Sequence, residues 1–133
     1  MKRYLLDTCV IKWYLENDTR IKSIAEDIEY YQGDYAVSIE SIKELVYLVQ
    51  SKKIKLDFDY EEFTKLLTKG YFDIIDFDID SLKVLFSLPF YKNHSDPTDR
   101  HIISTAIAKK RILISGDVKF NKYRKNGLLF LEV

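Results

Sequence analysis

The segment from His94 to Asp117 constrains the fold of this chain more than any other stretch. Pro97 is expected at the first position of a helix, where its missing N–H costs nothing and its fixed φ suits the turn. Asp96 then becomes the N-cap residue, and Asp99 lies one turn further on. An apolar stripe continues at helical spacing, through Ile102, Ile103, Ala106 and Ile107. The segment therefore predicts a capped helix with two carboxylates at its amino end.

Two predicted strands of the chain each end in an aspartate. The apolar, β-branched run from Arg111 to Ser115 predicts a strand buried on both faces, and Asp117 follows it. The run from Tyr4 to Leu6 is similar, and Asp7 follows it directly. Ligands of open α/β sheets bind outside the carboxyl ends of the strands. If these two strands are neighbours, we expect the two acids to face each other across a crevice.

Strand and helix patterns alternate along the whole sequence. The predicted strands are 4–6, 35–38, 72–77, 111–115 and 128–132, and the helices between them begin after Asp7, after Asn17–Thr19, at Ile39, near Glu61, near Asp80 and at Pro97. The fourth helix should run to Lys69 and stop at Gly70, and the third should turn Val49 inward. A single helical turn is expected at 120–123. This alternation predicts one three-layer α/β/α domain, residues 1–133, with a central parallel sheet.

Composition narrows the class of protein. Apolar residues make up 47% and charged residues 32%, an ordinary balance for a globular domain, and we expect no membrane span. The single cysteine excludes an internal disulfide and fits a reducing compartment, so the expected location is cytoplasmic. The net charge is zero, but the segment from His94 onward contains eight basic residues and four acidic ones. Positive charge around carboxylates suits a phosphate-bearing ligand.

The acidic residues allow both a structural and a catalytic interpretation. A helix cap, worth about 1 kcal/mol, would explain Asp7, Asp96 or Asp117. It accounts fully for Asp96, but less well for Asp7, because Thr8 could cap nearly as well. Asp99 gains only a few tenths of a kcal/mol from the helix dipole, so a cap does not explain it. Glu44 lies away from the apolar stripe of the third helix, which favours an ordinary solvated face, and Glu40 competes with it for any role in a cleft.

Convergence of four such acids would require a cation. Two carboxylates ~4 Å apart repel by about 4 kcal/mol at an effective dielectric constant near 20. The candidate ligands are hard oxygens without a histidine or cysteine pair, which disfavours zinc and favours Mg²⁺ or Mn²⁺. Such an ion can activate water and offset charge on a phosphoryl group. The residues alone therefore indicate metal-dependent phosphodiester hydrolysis.

Four motifs, in order along nearly the whole chain, resemble those of the PIN-domain nucleases, in particular the VapC-type toxins of bacterial toxin–antitoxin systems. They are Leu5-Leu6-Asp7-Thr8, Ser38-Ile39-Glu40-Ser41-Ile42-Lys43-Glu44-Leu45, His94-Ser95-Asp96-Pro97-Thr98-Asp99-Arg100 and Ile114-Ser115-Gly116-Asp117. The resemblance selects Glu44 over Glu40, and it implies that the first and fourth strands are neighbours. It also implies that one or two Mg²⁺ or Mn²⁺ ions are held by Asp7, Glu44, Asp99 and Asp117.

The same resemblance implies a set of supporting groups and partners. Asp96 would lie at the rim, while hydroxyls would orient the carboxylates, from Thr8, Ser38 and Ser115. The implied activity is an endoribonuclease, the toxin of a type II toxin–antitoxin pair, with a cognate antitoxin bound near the site and a homodimer as the assembly. Cys9 departs from the usual asparagine or histidine of the family, and Thr98 from the usual aromatic residue.

Several residues near the motifs have two interpretations. Arg100 could contact phosphate or brace a neighbouring acid, and His94 could be a general acid or stabilise a turn. Cys9 is expected to be a small buried hydrophobe rather than a nucleophile. Four basic residues could follow an RNA backbone: Lys119, Lys122, Arg124 and Lys125. Either Tyr91 or Tyr123 could stack on a base.

Two other functions compete with the ribonuclease. One is a catalytically silent PIN-fold module whose ligand is a partner protein, although the presence of all four acids disfavours it. The other is a phosphatase that forms an aspartyl phosphate. The Asp7-Thr8 pair lacks the second nearby aspartate expected of such a phosphatase, so this is the weaker of the two.

Overall fold

A parallel sheet forms the centre of the molecule. The computed structural model describes residues 2–55, 59–68 and 71–133, and in them five strands pair in the order β3-β2-β1-β4-β5. The strands are β1 (Arg3–Leu6), β2 (Asp34–Ser38), β3 (Asp73–Ile75), β4 (Ile112–Ser115) and β5 (Leu129–Glu132). All four pairings are parallel, as the alternating pattern predicts.

Helices cover both faces of this sheet. They are α1 (Thr8–Leu15), α2 (Lys22–Glu29), α3 (Ile39–Gln50), α4 (Tyr60–Thr68), α5 (Ile79–Ser87) and α6 (Pro97–Lys109), with 3₁₀ segments at Thr19–Ile21 and Val118–Asn126. Successive residues of β1 belong to different cores: Leu6 packs with α1, α2 and α3, and Leu5 packs with α6. The predicted three-layer α/β/α architecture is therefore confirmed.

The adjacency of β1 and β4 determines where the acids meet. Leu6 is in register with Ile114, and the Asp7 N–H extends the pairing by donating to the Ile114 carbonyl at 3.0 Å. Asp7 and the residues after Ser115 thus leave the sheet side by side at its carboxyl edge. The implied neighbourhood of the first and fourth strands is confirmed.

Some element bounds differ from the predictions because tertiary contacts decide them. β3 covers only 73–75 of the predicted 72–77, since it is an edge strand paired through three residues with β2, and Asp78 then caps α5 by accepting from the Ser81 N–H at 3.0 Å. Val49, predicted inward, is 40% exposed because the buried positions of α3 end at Leu45.

Other bounds extend or fall outside the predictions. The single turn expected at 120–123 belongs to the longer 3₁₀ segment, which buries Phe120 and Tyr123. Lys69 and Gly70, the predicted end of the fourth helix, lie outside the described residues. Within the described part of the chain, no helix combines the length and apolar character needed to cross a membrane.

An internal arginine joins the strands at the amino edge of the sheet, opposite the acids. The Arg111 side chain is 5% exposed, and its Nη1 donates to Asp34 Oδ1 at 2.8 Å and to the Tyr4 carbonyl at 3.1 Å. Arg3 approaches the other oxygen of Asp34 at 3.4 Å, but its side chain is 51% exposed. One carboxylate thus has a buried partner and a solvated one.

We expect Arg111→Met to lower the free energy of unfolding by about 2–3 kcal/mol, because it removes two charge-assisted hydrogen bonds from a buried position. Arg3→Met is the matched control and should cost less than about 1 kcal/mol, since exposed ion pairs contribute little. Urea unfolding followed by circular dichroism measures both. Equal losses in the two variants would contradict the interpretation.

Candidate active site

Asp7 is a buried carboxylate that does not cap the helix it precedes. It lies at the N-cap position of α1, yet its side chain makes no capping hydrogen bond to that helix. Instead Oδ2 accepts from the Ser115 hydroxyl at 2.7 Å, and the residue is 5% exposed. Oδ1 is buried and has no hydrogen-bond partner among the described residues. The capping interpretation of Asp7 is therefore wrong, and one of its oxygens faces a buried space without a donor.

Ser115 connects the two acids at the ends of β1 and β4. Its hydroxyl donates to Asp7 and accepts from the Asp117 N–H at 3.0 Å. Asp117 in turn caps the following 3₁₀ segment, where Oδ1 accepts from the Lys119 N–H at 3.0 Å. Gly116 lies between them against Trp13, so close that a Cβ atom at position 116 would be 2.6 Å from Cη2 of the indole.

Asp99 is held at the amino end of α6 by two neighbours. Asp96 caps the helix as predicted, accepting from the Asp99 N–H at 3.0 Å, and Pro97 occupies the first turn. The Asp99 carboxylate lies with Oδ2 2.9 Å from His94 Nε2. In the described part of the chain, His94, Asp99 and Asp117 form the one group whose possible ligand atoms all lie within 4.8 Å of one another.

Glu44, and not Glu40, faces this cluster. Burial raises the pKa of Glu44, and the charges of Asp7 and Asp96 raise it further. The nearby Thr8 hydroxyl partly opposes this rise in the pKa of Glu44. The Thr8 hydroxyl is buried, and no described residue lies within standard hydrogen-bond geometry of it. Glu40 instead pairs with Lys43 at 3.4 Å and lies 3.6 Å from His101. The half-buried side chain of Glu44 does not match the solvated-face interpretation.

The acids destabilise one another's charged forms. Burial raises the pKa of Asp7 to about 6, with a further contribution from Asp99. Burial also raises the pKa of Asp99 to about 7, and the charges of Asp96, Glu44 and Asp117 add to the effect. Asp99 is thus within electrostatic range of the other three predicted acids, Asp7, Glu44 and Asp117, although Asp7 and Glu44 lie outside the tight group with His94.

This donor set fits a divalent cation. It consists of carboxylate oxygens, one of them buried without a donor at Asp7, and a positive ion is what would favour ionisation of carboxyl groups with raised pKa values. Hard oxygen ligands are those that Mg²⁺ and Mn²⁺ prefer.

The sequence matches a family model described as PIN domain over residues 4–126, a span that contains all four acids and His94. The chain belongs to the PIN domain family. Its predicted family membership and fold are therefore confirmed, and the acids described above lie at the carboxyl edge of a PIN-domain sheet.

Solved structures share this PIN fold at low sequence identity. VapBC2 from Rickettsia felis, bound to a DNA fragment from their promoter, has a TM-score of 0.71 at 20% identity over 97% of both chains. VapBC-1 from nontypeable Haemophilus influenzae has 0.67 at 19% over 97% of this chain and 96% of that one. VapBC-5 from Mycobacterium tuberculosis, a member of the VapBC family of toxin–antitoxin systems, has 0.64 at 13% over 100% of both. No curated protein matches the chain with significance.

The basic residues of this PIN domain differ in their availability. Arg100 is 5% exposed, and its guanidinium donates to the carbonyls of Pro89 at 2.8 Å and Leu88 at 2.9 Å while it lies 3.8 Å from the centre of the Phe90 ring. Arg100 therefore stabilises a turn. These contacts match neither of its predicted roles, which were to contact phosphate or to brace a neighbouring acid. Lys119 and Lys122 are exposed.

The charges of these two lysines reach the cluster. Burial lowers the pKa of His94, and Lys119 and Lys122 lower it further against the opposing charges of Asp117 and Asp96. Lys119 also opposes the rise in the pKa of Asp99. Both lysines are thus placed beside the acids with their ammonium groups accessible to a ligand.

The remaining predicted residues have structural partners. Ser38 caps α3 by accepting from the Glu40 N–H at 3.0 Å, so its described contact orients a helix rather than a carboxylate. Burial raises the pKa of the Cys9 thiol, which lies 3.6 Å from Asp7 Oδ2, in agreement with an unreactive side chain. Tyr123 is fully buried and cannot stack on a base, and the Arg124 side chain bonds to the Phe130 carbonyl at 2.7 Å.

His94 is the site residue whose position the sequence reasoning did not resolve. The sequence predicts either a turn-stabilising residue or a general acid at this position, and neither prediction includes proximity to Asp99 and Asp117. The spacing of five residues between His94 and Asp99 does not by itself indicate that the imidazole reaches this carboxylate.

The raised pKa values predict how the metal-free protein responds to pH. Because Asp7 has a folded-state pKa near 6 and an unfolded value near 4, the folded chain binds a proton that the unfolded chain releases between these values. This contribution to stability is present below about pH 4 and is lost as the pH rises through 6. Between pH 4 and pH 8 the metal-free wild type should therefore lose roughly 2–3 kcal/mol of stability through this group. The Asp7→Asn variant should not show this loss.

Thermal and urea unfolding in EDTA at both pH values measures this difference. Asn keeps an acceptor for Ser115, and Asp76→Asn, in an exposed loop, controls for the change in net charge. A wild-type pH dependence that Asp7→Asn leaves unchanged would show that Asp7 does not carry the shifted titration.

Proposed function

We propose that this PIN domain is a metal-dependent endoribonuclease that hydrolyses RNA phosphodiester bonds, and that it is the toxin of a type II toxin–antitoxin pair. The observation that supports this best is the convergence of acids from separate elements on one edge of the sheet. Asp7 follows β1, Glu44 is on α3, Asp99 begins α6 and Asp117 follows β4. Structural stability does not account for this cluster, because burial and neighbouring negative charge raise the pKa values of Asp7 and Asp99.

The proposed cofactor is Mg²⁺ or Mn²⁺, held by Asp7, Glu44, Asp99 and Asp117. When bound, such an ion supplies the positive charge that activates a water molecule and offsets charge on the phosphoryl oxygens. The unpartnered Oδ1 of Asp7 and the orientation of its Oδ2 by Ser115 support a ligand role for this residue. The Asp99 N–H donates to the N-cap residue Asp96, and this bond fixes the backbone at Asp99. The fixed backbone limits the positions that the Asp99 carboxylate can occupy.

The chain's own residues would also position a polyanionic substrate. Lys119 and Lys122 are exposed and close enough to affect His94 electrostatically, so they can attract phosphate to the edge that carries the acids. RNA as the substrate class rests on the resemblance to VapC-type nucleases. Thr8 and Ser115 supply buried hydroxyls beside the carboxylates, the arrangement that orients ligands in metal sites.

The proposed partners are a cognate antitoxin and a second copy of the chain. Solved structures with the same fold include VapBC proteins and a toxin–antitoxin complex from Klebsiella pneumoniae, which supports an antitoxin partner. A homodimer is supported by an apolar face on α5, where Ile79 is 66%, Leu82 49% and Phe86 94% exposed. Exposed apolar patches of this kind are typical of protein interfaces.

Glu44→Gln and Glu40→Gln form a matched pair that tests the metal site. At a metal concentration one hundred times the dissociation constant, a folded-state site stabilises the protein by about 2.7 kcal/mol. We expect Mg²⁺ or Mn²⁺ to raise the melting temperature of the wild type and Glu40→Gln, and Glu44→Gln to lose most of that rise together with at least ~100-fold in RNA cleavage. Retention of both properties by Glu44→Gln would remove that residue from the site.

Expression in a bacterial host tests the biological role. We expect the wild type to arrest growth and Asp99→Asn to abolish the arrest, because the substitution removes a proposed ligand charge while keeping the shape of the side chain. Asp80→Asn, on the exposed first turn of α5, should arrest growth like the wild type at equal protein levels measured by immunoblot. Arrest that is indifferent to Asp99→Asn would instead favour the catalytically silent protein-binding module.

A further inference from the structure

His94 places a buried imidazole against the acidic cluster. The residue is 4% exposed, and its ring packs against Phe120 and Tyr123 with centroid distances of 5.1 Å and 5.3 Å. Nε2 points toward the acids and lies 2.9 Å from Oδ2 of Asp99. The imidazole is therefore fixed on its apolar sides and has one polar atom directed at the site.

The distance from Nε2 to Asp99 is compatible with two roles. Two ligands bound side by side to one ion at about 2.1 Å lie about 3 Å from each other, so His94 and Asp99 could share a cation. A hydrogen bond from an imidazole N–H to a carboxylate has the same length. The other ring nitrogen distinguishes these alternatives, because the two roles place the ring proton on different atoms.

Nδ1 is buried and has no hydrogen-bond partner among the described residues. If Nε2 bound a metal, the ring proton would lie on Nδ1, and a buried N–H without an acceptor costs about 1–3 kcal/mol. Histidines that bind metals almost always donate this proton to a carboxylate, a carbonyl or water. If Nε2 carries the proton, Nδ1 presents only a lone pair to the aromatic rings, and an unsatisfied acceptor is tolerated better than an unsatisfied donor.

We infer that His94 is a positioning residue: its Nε2–H donates to Oδ2 of Asp99 and directs the other oxygen of that carboxylate to the cation. The inference rests on the proposed function, since it specifies how the proposed metal site is held. It assigns the imidazole to the support of a ligand, so that the ion is bound by oxygen atoms alone.

The turn that carries His94 is built to keep the imidazole in place. The His94 N–H donates to the Tyr91 carbonyl at 3.0 Å, and the Tyr123 hydroxyl donates to the His94 carbonyl at 3.3 Å. Just before this turn, the carbonyls of residues 88 and 89 accept hydrogen bonds from the Arg100 side chain. Because Arg100 follows Asp99 on α6, the helix that presents the carboxylate also fixes the loop that presents its donor.

The pair His94→Gln and His94→Leu tests this role. Gln can place an amide N–H near the position of Nε2, whereas Leu fills the space without a donor. Calorimetric titration with Mg²⁺ and Mn²⁺ should show that His94→Leu weakens binding of both ions by about the same factor, in the range of 10- to 100-fold. His94→Gln should restore affinity to within about threefold of the wild type.

A spectroscopic measurement on the wild type removes the dependence on the fold of the variants. Pulsed electron paramagnetic resonance of the Mn²⁺ complex detects nitrogen in the first coordination sphere, and we expect no such directly bound ¹⁴N. Circular dichroism of the metal-free variants establishes whether each is folded, and if His94→Leu is not, the wild type and His94→Gln decide the question.

Four results would overturn the inference. Three of them are a directly coordinated nitrogen in the Mn²⁺ complex, a loss in folded His94→Leu confined to Mn²⁺, and a His94→Gln variant as weak as His94→Leu. Wild-type affinity in His94→Leu would equally exclude a positioning role. Failure of the wild type to bind either ion would instead overturn the proposed function, and the inference about His94 with it.

Discussion

The parallel pairing of β1 with β4 is the constraint on which the rest of the site depends. It brings the ends of two strands separated by more than a hundred residues to the same edge, where Ser115 binds both Asp7 and the backbone of Asp117. A strand order that separated β1 from β4 would not place these groups within one hydroxyl of each other. Glu44 and Asp99 then reach the same edge because α3 starts where β2 ends and α6 precedes the parallel strand β4, so that both helices begin at this edge, one on each face of the sheet.

The two edges of the sheet treat charge differently. At the amino edge, Arg111 and Arg3 neutralise Asp34, so the carboxylate has partners on both oxygens. At the carboxyl edge, burial and neighbouring negative charge raise the pKa values of Asp7 and Asp99, and the hydrogen bond from Ser115 to Asp7 and the charge of Lys119 near Asp99 oppose this only in part. The free energy gained in folding elsewhere thus supports an arrangement that is unfavourable without a cation, a distribution typical of functional sites.

Local features of the site could be predicted from the sequence, and non-local ones could not. The Asp96 cap and Pro97 follow from interactions that span three residues, which is why the start of α6 was predicted correctly. Whether Asp7 caps α1 depends on Ser115, and whether Arg100 meets solvent depends on the carbonyls at 88 and 89. The periodicity of hydrophobic residues along the sequence predicts neither of these contacts. The predicted length of β3 and the predicted burial of Val49 are wrong for the same reason, since both depend on where a neighbouring element ends. The adjacency of the first and fourth strands and the choice of Glu44 over Glu40 follow from the family resemblance rather than from the residue pattern.

The close contact between Trp13 and Gly116 gives the molecule an intrinsic optical reporter. Trp13 is the sole tryptophan of the sequence, and its indole lies against the one residue that separates Ser115 from Asp117. Arg20 covers the ring with its guanidinium carbon 4.3 Å from the centroid, so solvent reaches the fluorophore from few directions. Emission from this single chromophore therefore follows the local environment at the junction of the two acids without any added label.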